Sequence, residues 1–234
     1  MPVIGILADY LGHRKAQIED TLYRGNAQLI KQGKEPYTIR FFNDKAEAEE
    51  GIADCEILYG YFPANILSKA EKLRWMHAAS AGVDMFLPEG IFAHPENVVL
   101  THSNGSYGIT ISEHMVMMIL MLMRRQMEYV RLQENRIWQN VGDIRSIYGS
   151  RIVIVGVGDI GSNLARRVKA MGAAKVIGVR RTLKAADPAF DTITTYEHLQ
   201  DAVKDRHVGI LLKDIQHACL SVLAVIRIVS LGRQ

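Results

Sequence analysis

The chain has 234 residues, of which 48% are hydrophobic and 23% charged. That balance, with 19 glycines and only 6 prolines, excludes disordered, collagen-like and low-complexity classes and fits one large α/β domain or two small ones. Lys+Arg exceed Asp+Glu by 28 to 25, a net charge of +3 without a long basic block, which argues against a nucleic-acid partner.

Residues 1–15, MPVIGILADYLGHRK, lack the charged start and small-residue cleavage site of a signal peptide, and residues 3–8 read as a buried strand. Residues 16–32 carry Ile18, Leu22, Leu29 and Ile30 near a 3.6-residue period, which predicts a helix. A second strand is predicted at 38–42, a polar helix at 46–53 and a third strand at 57–59, followed by a Gly60-Tyr61-Phe62-Pro63 turn. A fourth strand at 72–78 runs into the small-residue loop Ser80-Ala81-Gly82-Val83-Asp84, and a fifth is predicted at 98–101. Strands alternating with helices predict a parallel sheet with helices on its faces. The two cysteines, Cys55 and Cys219, make neither a disulfide framework nor a metal site and suit a reducing cytoplasm.

Residues 109–125, ITISEHMVMMILMLMRR, are apolar almost all round and hold five of the ten methionines. Such a helix is expected to be buried in a core or against a partner subunit. Glu113-His114 lacks the second histidine of a His-Glu-x-x-His zinc motif, so no metal is expected there. Residues 128–150 are polar, with Gly142 and Gly149, and read as a loop and a boundary. No run reaches the ~20 apolar residues that span a bilayer.

Residues 151–161 read RIVIVGVGDIG. The β-branched run 152–155 predicts a buried strand, residues 162–171 a helix with Leu164, Ala165 and Val168 on one side, and residues 175–179 the next strand. Gly156, Gly158 and Gly161 then form G-x-G-x-x-G between strand and helix, the context that gives this motif its meaning. Gly156 permits a tight turn, Gly158 lets a pyrophosphate approach the backbone, and Gly161 lets the helix pack close to the sheet. The helix N-terminus offers free N–H groups and partial positive charge to phosphates. Gly156, Val157, Gly158, Asp159, Ile160 and Gly161 are therefore the expected dinucleotide cradle.

NAD sites usually carry an acid about 20 residues past this motif, where it holds the ribose 2′-hydroxyl. Here the second strand ends in Arg180-Arg181-Thr182, two guanidiniums and a hydroxyl that suit a 2′-phosphate. NADP is the expected cofactor, with NAD less favoured.

The order of these features resembles the D-isomer-specific 2-hydroxyacid dehydrogenase family. It consists of the loop at 80–84, then Asn104-Gly105-Ser106-Tyr107-Gly108, the helix with Ser112-Glu113-His114 and a closing Arg124-Arg125, then GVGDIG. The resemblance covers residues 1 to about 206. It implies an α/β fold of two Rossmann-like lobes with parallel sheets and the active site in the cleft, the second lobe incomplete. The implied division is a flavodoxin-like substrate lobe at 1–100, a dinucleotide lobe at 101–206 and a divergent tail at 207–234. The implied reaction is hydride transfer between NADPH and C2 of a small 2-oxoacid. Backbone N–H groups of Tyr59, Gly60 and Tyr61 and of Ser80, Ala81 and Gly82 would hold the substrate carboxylate. The family also implies a homodimer, through the Met-rich helix.

The family's substrate-orienting Arg, its proton-donating His and the Glu that supports it come late in the chain, and this sequence ends at Gln234 before any match to them. His207, His217 and Arg227 form no recognisable catalytic set, so no catalytic residue is assigned. The expectation is a C-terminally truncated chain, with an end like that of a shifted reading frame, that is inactive as written. A catalytically inactive dinucleotide-binding or interaction module is the alternative expectation. Retained NADPH binding without turnover marks that case.

Overall fold

Two compact units, Met1–Asn104 and Gly105–Gln234, make up the computed structural model, which describes residues 1–9, 11–183, 187–203 and the backbone of strand 208–211. The first unit runs β1 (Val3–Leu7), α1 (Lys15–Lys31), β2 (Thr38–Phe42), α2 (Lys45–Gly51), β3 (Ile57–Gly60), α3 (Ala64–Leu67), β4 (Trp75–Ala78) and β5 (Val99–His102). Its five strands are all parallel, in the order β2-β1-β3-β4-β5. This is the doubly wound arrangement in which ligands bind beyond the carboxyl ends of the strands, where the order reverses.

Alternation along each strand feeds two cores. Leu7, Phe42, Leu58, Met76 and Ala78 point to one face and pack with Ile52, Cys55, Phe62, Ile66 and Leu67. Ile6, Ala8 and Leu11 point to the other and pack with Ile18 and Leu22 of α1. A reciprocal cap starts α2: Asp44 accepts the Glu47 N–H at 2.9 Å, and Glu47 reaches back to accept the Asn43 N–H at 2.7 Å. Cys55 is fully buried, and burial pushes its thiol up to about 11. It is therefore a packing residue and not a nucleophile.

The second unit runs α4 (Gly108–Met123), α5 (Gln126–Glu134), β6 (Arg151–Val155), α6 (Asp159–Ala170), β7 (Lys175–Arg180), β8 (Thr192–Thr195), α7 (Leu199–Val203) and β9 (Val208–Leu211). The four strands are parallel in the order β8-β7-β6-β9. β6 is central and buried along four of its five residues, as its unbroken β-branched run requires.

The structure corrects several expectations. Residues 128–150 are not all loop, because α5 occupies their start. Arg125 turns the chain at φ 54° and its guanidinium grips Glu128 with two hydrogen bonds of 2.8 and 2.6 Å, so the next helix begins at once. β8 was not expected; the Asp191 carboxylate just before it accepts the Val176 N–H at 2.7 Å and holds it at the edge of the sheet. α4 is not buried all round within this chain. Ser112, Met115, Ile119 and Met123 form its buried stripe, while Ile109, Met117 and Leu122 are exposed. The division at residue 100 moves to the Asn104–Gly105 junction, because β5 is the last strand of the first sheet. Within the expected tail, β9 pairs with β6 as part of the second sheet. His207, His217, Cys219 and Arg227 lie outside the described residues. Among the described residues, no helix is long and apolar enough to cross a membrane.

Candidate functional site

The glycine-rich turn sits where β6 ends and α6 begins. Gly156 has φ 114°, a conformation that L side chains rarely adopt, and its N–H donates to Val179 O at 2.8 Å. The turn is thereby tied to β7. A Cβ on Gly161 would lie 1.9 Å from Gly156 O, so α6 crosses the turn at a distance only glycine allows. A Cβ on Gly158 would meet nothing within 4 Å, so this exposed glycine leaves a bare backbone facing open space. Each glycine thus has a separate structural cause, and the arrangement fits a pyrophosphate.

Val157 and Ile160 point the other way, into the core beneath the turn with Leu164, Ala165 and Phe190. Gly178 on β7 makes room there, since a Cβ would lie 2.6 Å from Val157 Cγ2 and 2.8 Å from Phe190 Cδ1. Asp159 opens α6, three residues before the expected start at 162, and is exposed in the first turn, where a carboxylate suits the helix dipole. Asn163 donates to Asp159 Oδ1 at 3.0 Å. α4 packs against this end of α6, with Gly108 so near Asp159 and Asn163 that a Cβ would lie within 2.5 Å of both.

Arg180 is the last residue of β7, half-buried; Arg181 and Thr182 follow it and are exposed. The run holds no carboxylate, as expected from the sequence. The reading missed an acid farther along: Asp187, whose Oδ2 accepts the Ser162 hydroxyl at 2.5 Å. Nothing in the sequence spacing marks that contact, which joins residues 25 positions apart. The Ser162 bond, then the Ala189 N–H and the charges of Arg166 and Arg180, hold the Asp187 carboxyl below the usual carboxylate range.

In the first unit, Tyr59 and Gly60 end β3 and Tyr61 follows. Gly60 is buried with φ 133°, which only glycine adopts readily at such a corner. Ser80, Ala81 and Gly82 form the loop after β4, the next strand in the sheet. Ser80 Oγ donates to Gly82 O at 2.7 Å and Ser80 O accepts the Ser103 N–H at 3.1 Å, so the loop is pinned. The ring of Tyr61 packs edge-on to Phe86, in the short helical turn just after the second loop, with centroids 6.2 Å apart. A row not singled out from the sequence crosses the same sheet. Tyr59 stacks on His77, whose ring nitrogens lie 2.9 Å from Thr101 Oγ1 and 3.1 Å from Ser103 Oγ. Its signal was the parallel register that aligns residues 59, 77 and 101. Among the described residues no cluster of His, Cys, Asp or Glu could hold a metal ion, and His114 is exposed on α4.

A sequence profile for "D-isomer specific 2-hydroxyacid dehydrogenase, NAD binding domain" matches residues 116–212. A crystal structure of a D-isomer specific 2-hydroxyacid dehydrogenase family protein from Aeromonas salmonicida superposes with a TM-score of 0.71 at 25% identity, covering 91% of this chain and 64% of that one. Residues 116–212 thus resemble the NAD-binding domain of the D-isomer specific 2-hydroxyacid dehydrogenase family, and the fold is that of a solved protein of that family. Two further relatives are similar in sequence. D-3-phosphoglycerate dehydrogenase of Bacillus subtilis is 28% identical over 165 residues, 64% of this chain and 30% of that protein. Formate dehydrogenase of Neurospora crassa is 27% identical over 171 residues, 71% of this chain and 44% of that protein. The match therefore spans less than half the length of these two relatives.

Proposed function

We propose that this chain is a member of the D-isomer specific 2-hydroxyacid dehydrogenase family that binds NADP in preference to NAD and serves hydride transfer to C2 of a small 2-oxoacid. The observation that carries the reading is the run Arg180-Arg181-Thr182 at the end of β7, next to the glycine turn that β6 and β7 share. Residues 156–161 would hold the pyrophosphate through backbone N–H groups and the α6 N-terminus. Arg180, Arg181 and Thr182 would take the 2′-phosphate, Arg through paired charge-assisted hydrogen bonds. When bound, the nicotinamide supplies the hydride. Tyr59, Gly60, Tyr61, Ser80, Ala81 and Gly82 would present backbone N–H groups to the substrate carboxylate from adjacent strand ends. A reducing cytoplasm suits the buried, unpaired Cys55 thiol.

Isothermal titration of the full chain with each dinucleotide tests this. NADPH is expected to bind at least tenfold more tightly than NADH. Equal affinities overturn the preference.

A second copy of the chain is the proposed cover for the exposed side of α4. Ile109, Met117 and Leu122 of this helix stand out of the core. A helix this apolar whose exposed residues are also apolar supports an interface with a second copy. Sedimentation velocity at micromolar concentration is expected to give twice the 26.2 kDa of the chain. A monomer under those conditions rejects the dimer.

A further inference from the structure

Tyr59, His77 and Thr101 stand level with one another on β3, β4 and β5, so their side chains leave the same face of the sheet. All three are half-buried, as is Ser103 just beyond β5. Their contacts run across the strands as one row. The Tyr59 ring lies flat on the His77 imidazole, with planes 1° apart and centroids 5.7 Å apart. His77 Nδ1 lies 2.9 Å from Thr101 Oγ1, which also accepts the Trp75 indole N–H at 2.9 Å. His77 Nε2 lies 3.1 Å from Ser103 Oγ. A neutral imidazole protonated at Nε2 satisfies the whole row in one direction. The Thr101 hydroxyl then donates to Nδ1, Nε2–H donates to Ser103 Oγ, and the Ser103 hydroxyl donates to Ala78 O at 3.4 Å.

Ser103 carries this row to the loop after β4. Its N–H donates to Ser80 O at 3.1 Å, and the Ser80 hydroxyl donates to Gly82 O at 2.7 Å. At the other end of the row, Tyr59 directly precedes Gly60, where the chain turns at φ 133°. The imidazole therefore stands between the loop after β3 and the loop after β4. Contacts on its face and on both nitrogens fix how the ring is turned. Backbone that is already ordered spares a ligand the cost of ordering it on binding.

We infer that His77 is a positioning residue: through Tyr59 and Ser103 it holds the backbones after β3 and β4 in one arrangement, so that both sets of N–H groups serve a single carboxylate. The inference rests on the proposed carboxylate seat at residues 59–61 and 80–82 and adds the residue that orders it. His77 touches no substrate in this account; it acts through its neighbours.

The test compares the full chain as wild type, His77→Phe, His77→Gln and Ser103→Ala by amide NMR. His77→Phe keeps a flat ring for Tyr59 but loses both hydrogen bonds, whereas His77→Gln keeps a donor and an acceptor. Ser103→Ala removes only the hydroxyl, and it decides the matter if His77→Phe fails to fold. Hydrogen exchange at the position-103 N–H reads the tether to Ser80 directly. It is expected to run about tenfold faster in His77→Phe and Ser103→Ala and to stay within about threefold of wild type in His77→Gln, while the Ile6 and Leu7 amides of β1 hold their rates. Oxamate, an unreactive analogue of a 2-oxoacid, is then titrated while the Gly60 and Gly82 amides are followed. Both are expected to shift with one dissociation constant. It is expected to rise about fivefold in His77→Phe and Ser103→Ala, the scale of one hydrogen bond, and to return within about twofold of wild type in His77→Gln. Wild-type exchange at position 103 in both His77→Phe and Ser103→Ala overturns the inference. So does a speed-up matched on β1, which would make His77 a residue of general stability only. Oxamate binding that survives both variants unchanged also overturns it and leaves the carboxylate seat standing. A wild-type chain whose Gly60 and Gly82 amides ignore oxamate rejects the seat itself, and the positioning role falls with it.

Discussion

Gly161→Ala is expected to destabilise the second unit by about 3 kcal/mol or more and to abolish dinucleotide binding. The added methyl would lie 1.9 Å from the backbone oxygen of Gly156 and 3.1 Å from its carbonyl carbon. Neither is the far end of a flexible side chain, so relief requires α6 to shift or the turn to open. α6 cannot shift freely, because Leu164, Ala165 and Val168 are fully buried against β6 and α4. The turn cannot open freely either, since Gly156 is hydrogen-bonded to Val179. A loss of that size lowers the melting temperature by roughly 6–12 °C for a chain of this length. Circular dichroism melts and NADPH titration read the two effects together.

Gly158→Ala supplies the contrast. Its methyl would enter open space, and the residue has the extended backbone of a helix cap, φ −116° and ψ −164°. The melting temperature is expected to stay within about 2 °C of wild type, since surface changes away from such strain cost within ~0.5 kcal/mol. NADPH affinity is expected to fall, because the methyl occupies the ground a pyrophosphate would approach. A stable Gly161→Ala that still binds NADPH would remove the close helix-strand crossing from the account. Unchanged binding in Gly158→Ala would remove the phosphate cradle.

How much of this was legible in the sequence depends on how local its cause is. The β6–turn–α6 unit could be read residue by residue, because a β-branched run, three glycines and a helical stripe act within a few residues of one another. β2 was legible to the residue, since Thr38–Phe42 is bounded by polar turns on both sides. The parallel order of the first sheet followed from alternation of strands and helices. α5 escaped notice because it is short, mixes polar with apolar residues and buries none of them; a local Arg125–Glu128 ion pair and the left-handed Arg125 start it. β8 escaped notice because Thr192–Thr195 is short and its placement comes from Asp191, a contact with Val176 across 15 residues. The α4 stripe was hidden by composition: with apolar residues on every side, only the packed neighbour decides which face is core. Asp187 was missed for the same reason as β8, since its partner Ser162 is 25 residues away. The glycine turn was therefore foreseeable, whereas the Ser162–Asp187 contact beside it was not.

Phe62→Ala is expected to lower the stability of the first unit by about 3–5 kcal/mol, the usual cost of removing a buried aromatic ring. Phe62 is 1% exposed, and its ring meets that of Phe42 edge-on, with centroids 6.5 Å apart and planes at 85°. It belongs to the core that also holds Ile66, Leu67 and Met76, so truncation leaves a cavity bounded by rigid strands and a short helix. Collapse around such a site is limited, which keeps the loss near the upper part of the range. The position also matters locally. Phe62 follows Gly60 and Tyr61 directly, and its burial is what fixes a turn whose first residue has φ 133°. Removing the ring frees that turn while leaving every residue of the glycine cradle untouched. Differential scanning calorimetry is expected to show the transition of the Met1–Asn104 unit moving down, with NADPH affinity held within about twofold of wild type. An unchanged melting profile would mean that Phe62 does not anchor the core. A parallel loss of NADPH binding would mean that the fold of the cradle depends on the first unit, and would overturn its treatment as an independent site.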